Sequence, residues 1–397
     1  MMHLRCYIRQ PTAVAMLFVT LVACQATAPA VEQRAMAISE PNNVAQIARV
    51  ADLKALPTLG AIIPRLAEKQ VVFVGETHDQ FGHHLAQLEI IRGLHAIHDD
   101  LVIGMEYFQV PFQQALDAYV AGESTEKELL KQTEYFERWR FDYRLYRPIL
   151  RYAREHHIPL IALNIPAEIN RQVARSGIES LSAAQRAQIP QDIDRSDEAY
   201  HERLRAVFET HRERGMAPGS FDYFVESQLL WDESMAETAA KYLRAHPERR
   251  MVILAGSGHL LYGSGIPRRL LRRVPMDSAI VINAAVDITD PQMADFLLFP
   301  TQTTLPPAGL LGVFLKQSDD NVVIEDVADD GAAKRAGLQK GDWLLALDGV
   351  QMASIADVKI ALLDKQAGEK VRVRVKRGQD DAAAQVIELD IALMASH

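Results

Sequence analysis

Two stretches of the chain carry histidine three residues after glycine: Gly75-Glu76-Thr77-His78, followed by Asp79, and Gly256-Ser257-Gly258-His259. Glycine permits a sharp turn and close backbone approach, so a histidine three residues on can reach back over the element that the turn leaves. Glu106 and Tyr107 follow a third apolar run, and Asn164, then Pro166, a fourth. Glu76, His78, Glu106 and His259 together could ligate a divalent metal or move protons around a water. The residue types leave both chemistries open.

Such residues need a scaffold that brings distant segments to one edge. Apolar runs at 71–74, 101–105, 159–163, 251–255 and 279–282 have the length and β-branching of buried parallel strands and alternate with helical patterns. That alternation predicts an α/β domain, a mainly parallel sheet flanked by helices. In such a sheet ligands bind outside the carboxyl ends of the strands. A crossover helix is predicted over 83–97, with Leu88, Ile91, Leu94 and Ile97 on one face. Residues 195–214 and 221–245 read as a hairpin of two inserted helices, a lid or a dimer surface. On the first of these, Tyr200, Leu204, Val207 and His211 share one face. The paired histidines His83 and His84 open the crossover helix, and His84 faces back toward the strand edge.

Several familiar sites are absent. No His-Glu-x-x-His, Gly-x-Ser-x-Gly or Walker motif occurs, and Leu261 stands where a dinucleotide fingerprint needs its third glycine. With 52 acidic against 43 basic residues and a net charge of −9, the chain does not suit nucleic acid.

The first 24 residues read as an export leader. Arg5 and Arg9 precede an apolar stretch at 13–22, and Leu21-Val22-Ala23-Cys24 resembles a bacterial lipobox. The resemblance implies acylation of Cys24, palmitate among the chains, and a lipid-anchored envelope protein. Gln25, in place of aspartate, is similar to lipoproteins sent to the outer membrane. Cys6 and Cys24 are the only cysteines, so the mature chain is expected to lack disulfides. Residues 25–44 are expected to be a tether, 45–297 the α/β domain and 298–308, rich in Pro and Thr, a linker.

From 309 to 394 the pattern changes to short strands and frequent turns. GLLGVF at 309–314, AGL at 336–338, KGD at 340–342 and the Asp348-Gly349 turn resemble a PDZ domain of the bacterial HtrA type, a small mainly-β module. By that resemblance Leu310, Leu311, Gly312, Val313 and Phe314 form the carboxylate loop and edge strand. Val358 and Leu362, on a helix at about 355–363, shape the side-chain pocket. Such domains add a peptide strand to a sheet edge, here the C-terminal peptide of an envelope protein.

GETHDQFGHHLAQ at 75–87, GMEYF at 104–108, RWRFDYRLYRPIL at 138–150, ALNIP at 162–166, WDESMA at 231–236 and AGSGHL at 255–260 resemble the ChaN family of iron-regulated lipoproteins. ChaN belongs to a superfamily with Tiki, TraB and erythromycin-esterase-like proteins. The resemblance implies a homodimer that holds two haems face to face, with tyrosine as iron ligand, in haem and iron uptake. Tyr200 is the first choice for that ligand, with Tyr143, Tyr223 and His211 as further candidates. It favours a binding protein over an enzyme. The Tiki-like relatives imply the alternative, a metal-dependent envelope hydrolase using Glu76, His78, Glu106 and His259.

Overall fold

The computed structural model describes residues 53–215, 219–283, 290–378 and 384–395. The leader, Cys24 and the tether lie outside them, and the compact body begins at Pro57.

Six strands, β1 (Val71–Glu76), β2 (Leu101–Gln109), β3 (Leu160–Asn164), β4 (Arg250–Gly256), β5 (Ser278–Asn283) and β6 (Phe296–Leu298), form one sheet in the order β3-β2-β4-β1-β5-β6. Every pairing is parallel. The two Gly-x-x-His turns follow β1 and β4, the paired central strands, so the fold places them side by side. The apolar runs foretold five of the strands. The sixth, three half-buried residues, falls at the border assigned to the linker.

Alternation along the strands divides the core in two. Val72, Val74, Ile103, Leu160, Leu254 and Val281 face α1 (Leu59–Ala67), α2 (Phe81–His95) and the helices α3 (Gln113–Val120), α4 (Glu126–Gln132), α5 (Tyr135–Arg138) and α6 (Arg147–Glu155). Phe73, Val102, Leu163, Ile253 and Ile282 face the opposite way, toward the long insertion helix and the helix after β4. The predicted crossover helix is thus present two residues early. Ile97 lies past its end and is exposed, because the helix has already stopped at His95.

After β3 come α7 (Ala167–Ser176), α8 (Ala183–Arg186) and the foretold helical pair, α9 (Glu198–Glu213) and α10 (Phe221–Ala245); α11 (Ile266–Arg273) follows β4. Asp197 and Ser220 cap α9 and α10 by accepting from the Tyr200 and Tyr223 amides. Glu233, in the middle of α10, forms a buried ion pair with Arg269 of α11 at 3.2 Å and also receives Arg273 at 2.5 Å. A lone buried charge would be costly, and this network compensates it.

The C-terminal domain has its own core. β7 (Gly309–Leu310), β8 (Val313–Ser318), β9 (Asn321–Val327), α12 (Ala332–Ala336), β10 (Trp343–Leu347), β11 (Val350–Gln351), α13 (Ile355–Leu362), β12 (Lys370–Arg377), β13 (Gln385–Ala392) and β14 (Met394–Ala395) give an antiparallel sheet ordered β13-β12-β10-β9-β8, with β11 on β10 and β14 on β7. Gly312 adopts φ 77°, and a Cβ there would lie 2.9 Å from Met394 Sδ and 3.0 Å from the Gly331 Cα, so glycine is required.

The two domains touch. Leu363 joins the core cluster of the parallel-sheet domain, Lys131 Nζ donates to Asp357 Oδ1 at 3.1 Å, and Arg147 pairs with Asp364. The linker is packed as well: Leu305 lies against that cluster and the Pro306 carbonyl accepts from Arg144 at 2.8 Å. Among the described residues no helix is long and apolar enough to cross a membrane.

Candidate functional site

The ends of β1, β2 and β4 deliver the four expected residues to one place. Glu76 is the last residue of β1 and is almost fully buried. Its Oε1 accepts from His78 Nδ1 at 2.5 Å. Glu106, also buried, accepts the Gly256 amide on Oε2 at 2.7 Å, which ties β2 to the turn after β4. His259 Nε2 lies 3.5 Å from Glu106 Oε1. Gly256 is where the halves meet: a Cβ on it would lie 3.0 Å from His78 Cε1 and 3.7 Å from Glu106 Oε2.

Further residues position these. His259 Nδ1 donates to Asp232 Oδ1 at 2.6 Å, and Asp232 also accepts the Tyr200 hydroxyl. Asn164 Nδ2 donates to the Glu106 carbonyl at 2.9 Å and Asn283 Nδ2 to the Gly75 carbonyl at 2.7 Å, fixing neighbouring strand ends. His84 faces the edge as expected. It is buried, with its ring nitrogens 3.1 Å from Gln87 Oε1 and 3.1 Å from the His78 carbonyl, which also accepts from Tyr146. The Thr77 amide donates to His83 Nδ1 at 3.0 Å. An aromatic wall completes the site: Trp139 and Phe141 each place their ring centroid 4.8 Å from that of His78.

Burial opposes charge on His259, yet the Asp232 and Glu106 carboxylates outweigh it and raise its pKa to about 9. His259 is therefore an imidazolium at neutral pH. Burial raises the Glu76 carboxyl despite its hydrogen bond with His78. Burial pulls His78 down, but its hydrogen bond to Glu76 and the Glu106 charge raise it on balance. Both partners thus favour keeping the proton between them. For His84, burial outweighs the two acceptors and lowers the pKa to about 4.

The four residues expected as metal ligands form two carboxylate–imidazole pairs. Among the described residues no group of three or more His, Cys, Asp or Glu side chains is disposed to hold a metal ion. Glu76 Oε2 and Glu106 Oε1 are nevertheless buried with no hydrogen-bond partner among the described residues. Such acceptors are costly, and a bound cation or hydroxyl would satisfy them. Chemically the edge offers a charged imidazolium acid, a second imidazole with a shared proton, and two carboxylate oxygens that accept no hydrogen bond among the described residues.

The tyrosines and His211 are elsewhere. Tyr143 is buried and donates to Glu126 Oε1 at 3.0 Å. Tyr200, 4% exposed, packs with Leu204 and Phe208 against Phe224, Val225 and Leu229 of α10, while Val207 faces solvent. The buried face of α9 thus runs 200, 204, 208. Burial and the Asp232 carboxylate push the Tyr200 phenol well above its usual pKa, so ligation through it would require that hydrogen bond to break. Tyr223 is 37% exposed at the start of α10. His211 lies near the end of α9, its ring 6.1 Å from that of Phe224.

One residue beside Tyr200 carries no motif that marks it in the sequence. His201 lines a cavity of about 470 Å³ between α9 and α10, together with Arg195, Arg205, Phe221, Val225 and Leu229. Its Nε2 is buried with no hydrogen-bond partner among the described residues. Asp232 was not foreseen either, although an Asp-Glu pair within an apolar helix face is itself a signal.

The family model described as haem-binding uptake, Tiki superfamily, ChaN matches residues 62–270, and a PDZ model matches 309–387. A structure of ChaN from Campylobacter jejuni with cofacial haem is 17% identical, at a TM-score of 0.49, over 61% of this chain and 91% of that one. A PDZ domain of a carboxy-terminal protease from Vibrio cholerae, solved with peptide, is 25% identical over 23% of this chain and 99% of its own, at a TM-score of 0.21. The chloroplastic protein RETICULATA-RELATED 5 of Arabidopsis thaliana is 25% identical over 55% of this chain; the shared region spans 31% of that relative. The first model covers more than half of the residues, and the chain belongs to the ChaN haem-binding uptake family of the Tiki superfamily, with a PDZ domain at 309–387.

Proposed function

We propose that this protein binds haem on the α9–α10 hairpin as a lipid-anchored envelope protein for haem and iron acquisition, and that its PDZ domain recruits the C-terminus of a partner. The observation that carries the haem reading is the partnerless His201 Nε2 beside the α9–α10 cavity. The imidazole and the apolar part of the lining fit the group. A cavity of about 470 Å³ lies within the usual range for ligand sites. Arg195 and Arg205 are the cations that could meet the haem carboxylates, although Arg205 lies 3.8 Å from Glu202, and Glu198, Asp222 and Glu226 also share the rim. Phe221, Val225 and Leu229 supply apolar surface. Haem bound there would supply an iron, for which an imidazole is a common protein ligand. His201 takes that role in this reading, since the hydroxyl of Tyr200, the residue first expected there, is engaged by Asp232.

The exposed side chains of Val207 and Tyr223 on the same hairpin support a second copy closing over it, in a homodimer. The lipobox at Cys24 supports the anchor and an outer-membrane location. A hemin titration followed in the Soret region tests the reading. The wild type gives a saturable shift, lost or displaced in His201→Ala. A shift retained in His201→Ala and lost in Tyr200→Phe would return the ligand to the tyrosine, and no shift in the wild type would reject haem binding.

A second reading rests on the strand edge. The oxygens of Glu76 and Glu106 that accept no hydrogen bond among the described residues, flanked by His78 and His259, favour a hydrolase of the Tiki-like kind in which a divalent ion recruits all four residues. Metal content of protein purified without chelators, compared with His78→Ala, decides it: stoichiometric metal lost in the variant supports the hydrolase, and none in the wild type argues against it.

A further inference from the structure

The groove of the PDZ domain is not made by that domain alone. A cavity of about 420 Å³ runs between β8 and α13, where Val313, Val358 and Leu362 are expected to hold a peptide strand. Its remaining wall is Phe136, Arg140 and Phe141, from the parallel-sheet domain. The Lys359 ammonium lies 5.2 Å from the centre of the Phe136 ring, so the two walls already touch through a cation–π contact.

The charges of this lining are unbalanced. It carries Arg140, Arg144, Lys359 and a single carboxylate, Asp142. Arg144 donates to both oxygens of Asp142 and also to the Pro306 carbonyl. Arg140 donates only to the Glu137 backbone carbonyl, and neither it nor Lys359 has a carboxylate partner among the described residues. Arg140 is moreover held at φ 72°, a left-handed conformation that side chains other than glycine seldom adopt. The fold thus keeps an exposed cation at the rim in a conformation that is unfavourable for it.

We infer that the groove and the 136–141 segment form one composite site for a C-terminal peptide with an acidic side chain upstream of its last residue, which Arg140 and Lys359 recognise. The inference rests on the PDZ reading above and adds specificity from the second domain. A terminal carboxylate satisfies the loop at Leu310 to Gly312, where the Leu311 and Gly312 amides take no part in the backbone network among the described residues. The two rim cations then require further negative charge.

The test uses the full chain and three labelled peptides with the same apolar C-terminal residue: one with glutamate upstream, one with lysine there, and the glutamate peptide as its C-terminal amide. Fluorescence anisotropy is expected to show the glutamate peptide binding roughly ten-fold tighter than the lysine peptide, the amide much weaker, and the preference lost or reversed in Arg140→Glu. Equal binding of the glutamate and lysine peptides would overturn the inference and leave peptide capture intact. A glutamate preference that survives Arg140→Glu and disappears only in Lys359→Glu would also overturn it, since the PDZ domain alone would then set specificity. If no peptide binds, or the amide binds as well as the free acid, the PDZ reading fails and the inference with it.

Discussion

His259 Nδ1 and Asp232 Oδ1 are 2.6 Å apart, joining the turn after β4 to the middle of α10. Asp232 is fully buried and holds the Tyr200 hydroxyl on its other oxygen, so one carboxylate links the strand-edge site to the insertion. Replacing it should be felt at both. In Asp232→Asn the pKa of His259, raised to about 9, should fall toward the ordinary histidine value, as read by NMR titration. The variant should lose about 3 kcal/mol of stability in urea unfolding, the usual cost of breaking a buried charged pair.

Stability should peak near pH 6.5. His84, lowered to about 4, contributes stability above its ordinary value of 6.5, and that contribution is lost as pH falls from 6.5 toward 4. His259 has the opposite sign: its contribution is complete below 6.5 and is lost as pH rises through about 9. His78, raised, adds to the loss on the alkaline side, whereas Glu76, raised from its ordinary 4.5, already begins to lose its contribution as pH rises past 4.5 and so flattens the acid limb. Each tenfold gain in proton affinity on folding is worth about 1.4 kcal/mol, so the His259 contribution is on the order of 3 kcal/mol. Urea midpoints across this range check it, and His259→Gln should flatten the alkaline limb.

Gly256→Ala should disturb the site without a backbone penalty, because its φ of −55° suits any residue. The new methyl would press on His78, whose ring also packs against Trp139 and Phe141. A loss of roughly 1–2 kcal/mol is expected, together with a changed His78 titration. Gly75→Ala should cost more. Its Cβ would lie 2.6 Å from Ile282 Cδ1 and 3.2 Å from the Ser257 backbone, which cannot move aside.

What the sequence made legible was local. Runs of β-branched residues marked the five longer strands, the Gly-x-x-His spacing marked both central strand ends, and periodicity located α9 and α10 within a few residues. Partners that depend on packing between distant elements stayed hidden. Nothing near His259 in the chain points to Asp232, 27 positions away. The period of α9 allowed Tyr200 to face a ligand or a helix, and only the arrangement of α10 fixes its hydroxyl on Asp232. His201 looks like an ordinary surface histidine until the cavity beside it is formed. The PDZ groove was expected from its own motifs, but its third wall comes from residues about 170 positions earlier, beyond any periodic signal.

The proposed function turns on haem held by the α9–α10 hairpin. Sedimentation velocity of the soluble chain with substoichiometric hemin, recorded in parallel by protein and Soret absorbance, tests it most directly. Soret absorbance is expected to sediment with the protein, in a species of dimer size, and to separate from it in His201→Ala. Hemin that sediments apart from the wild-type protein would contradict it.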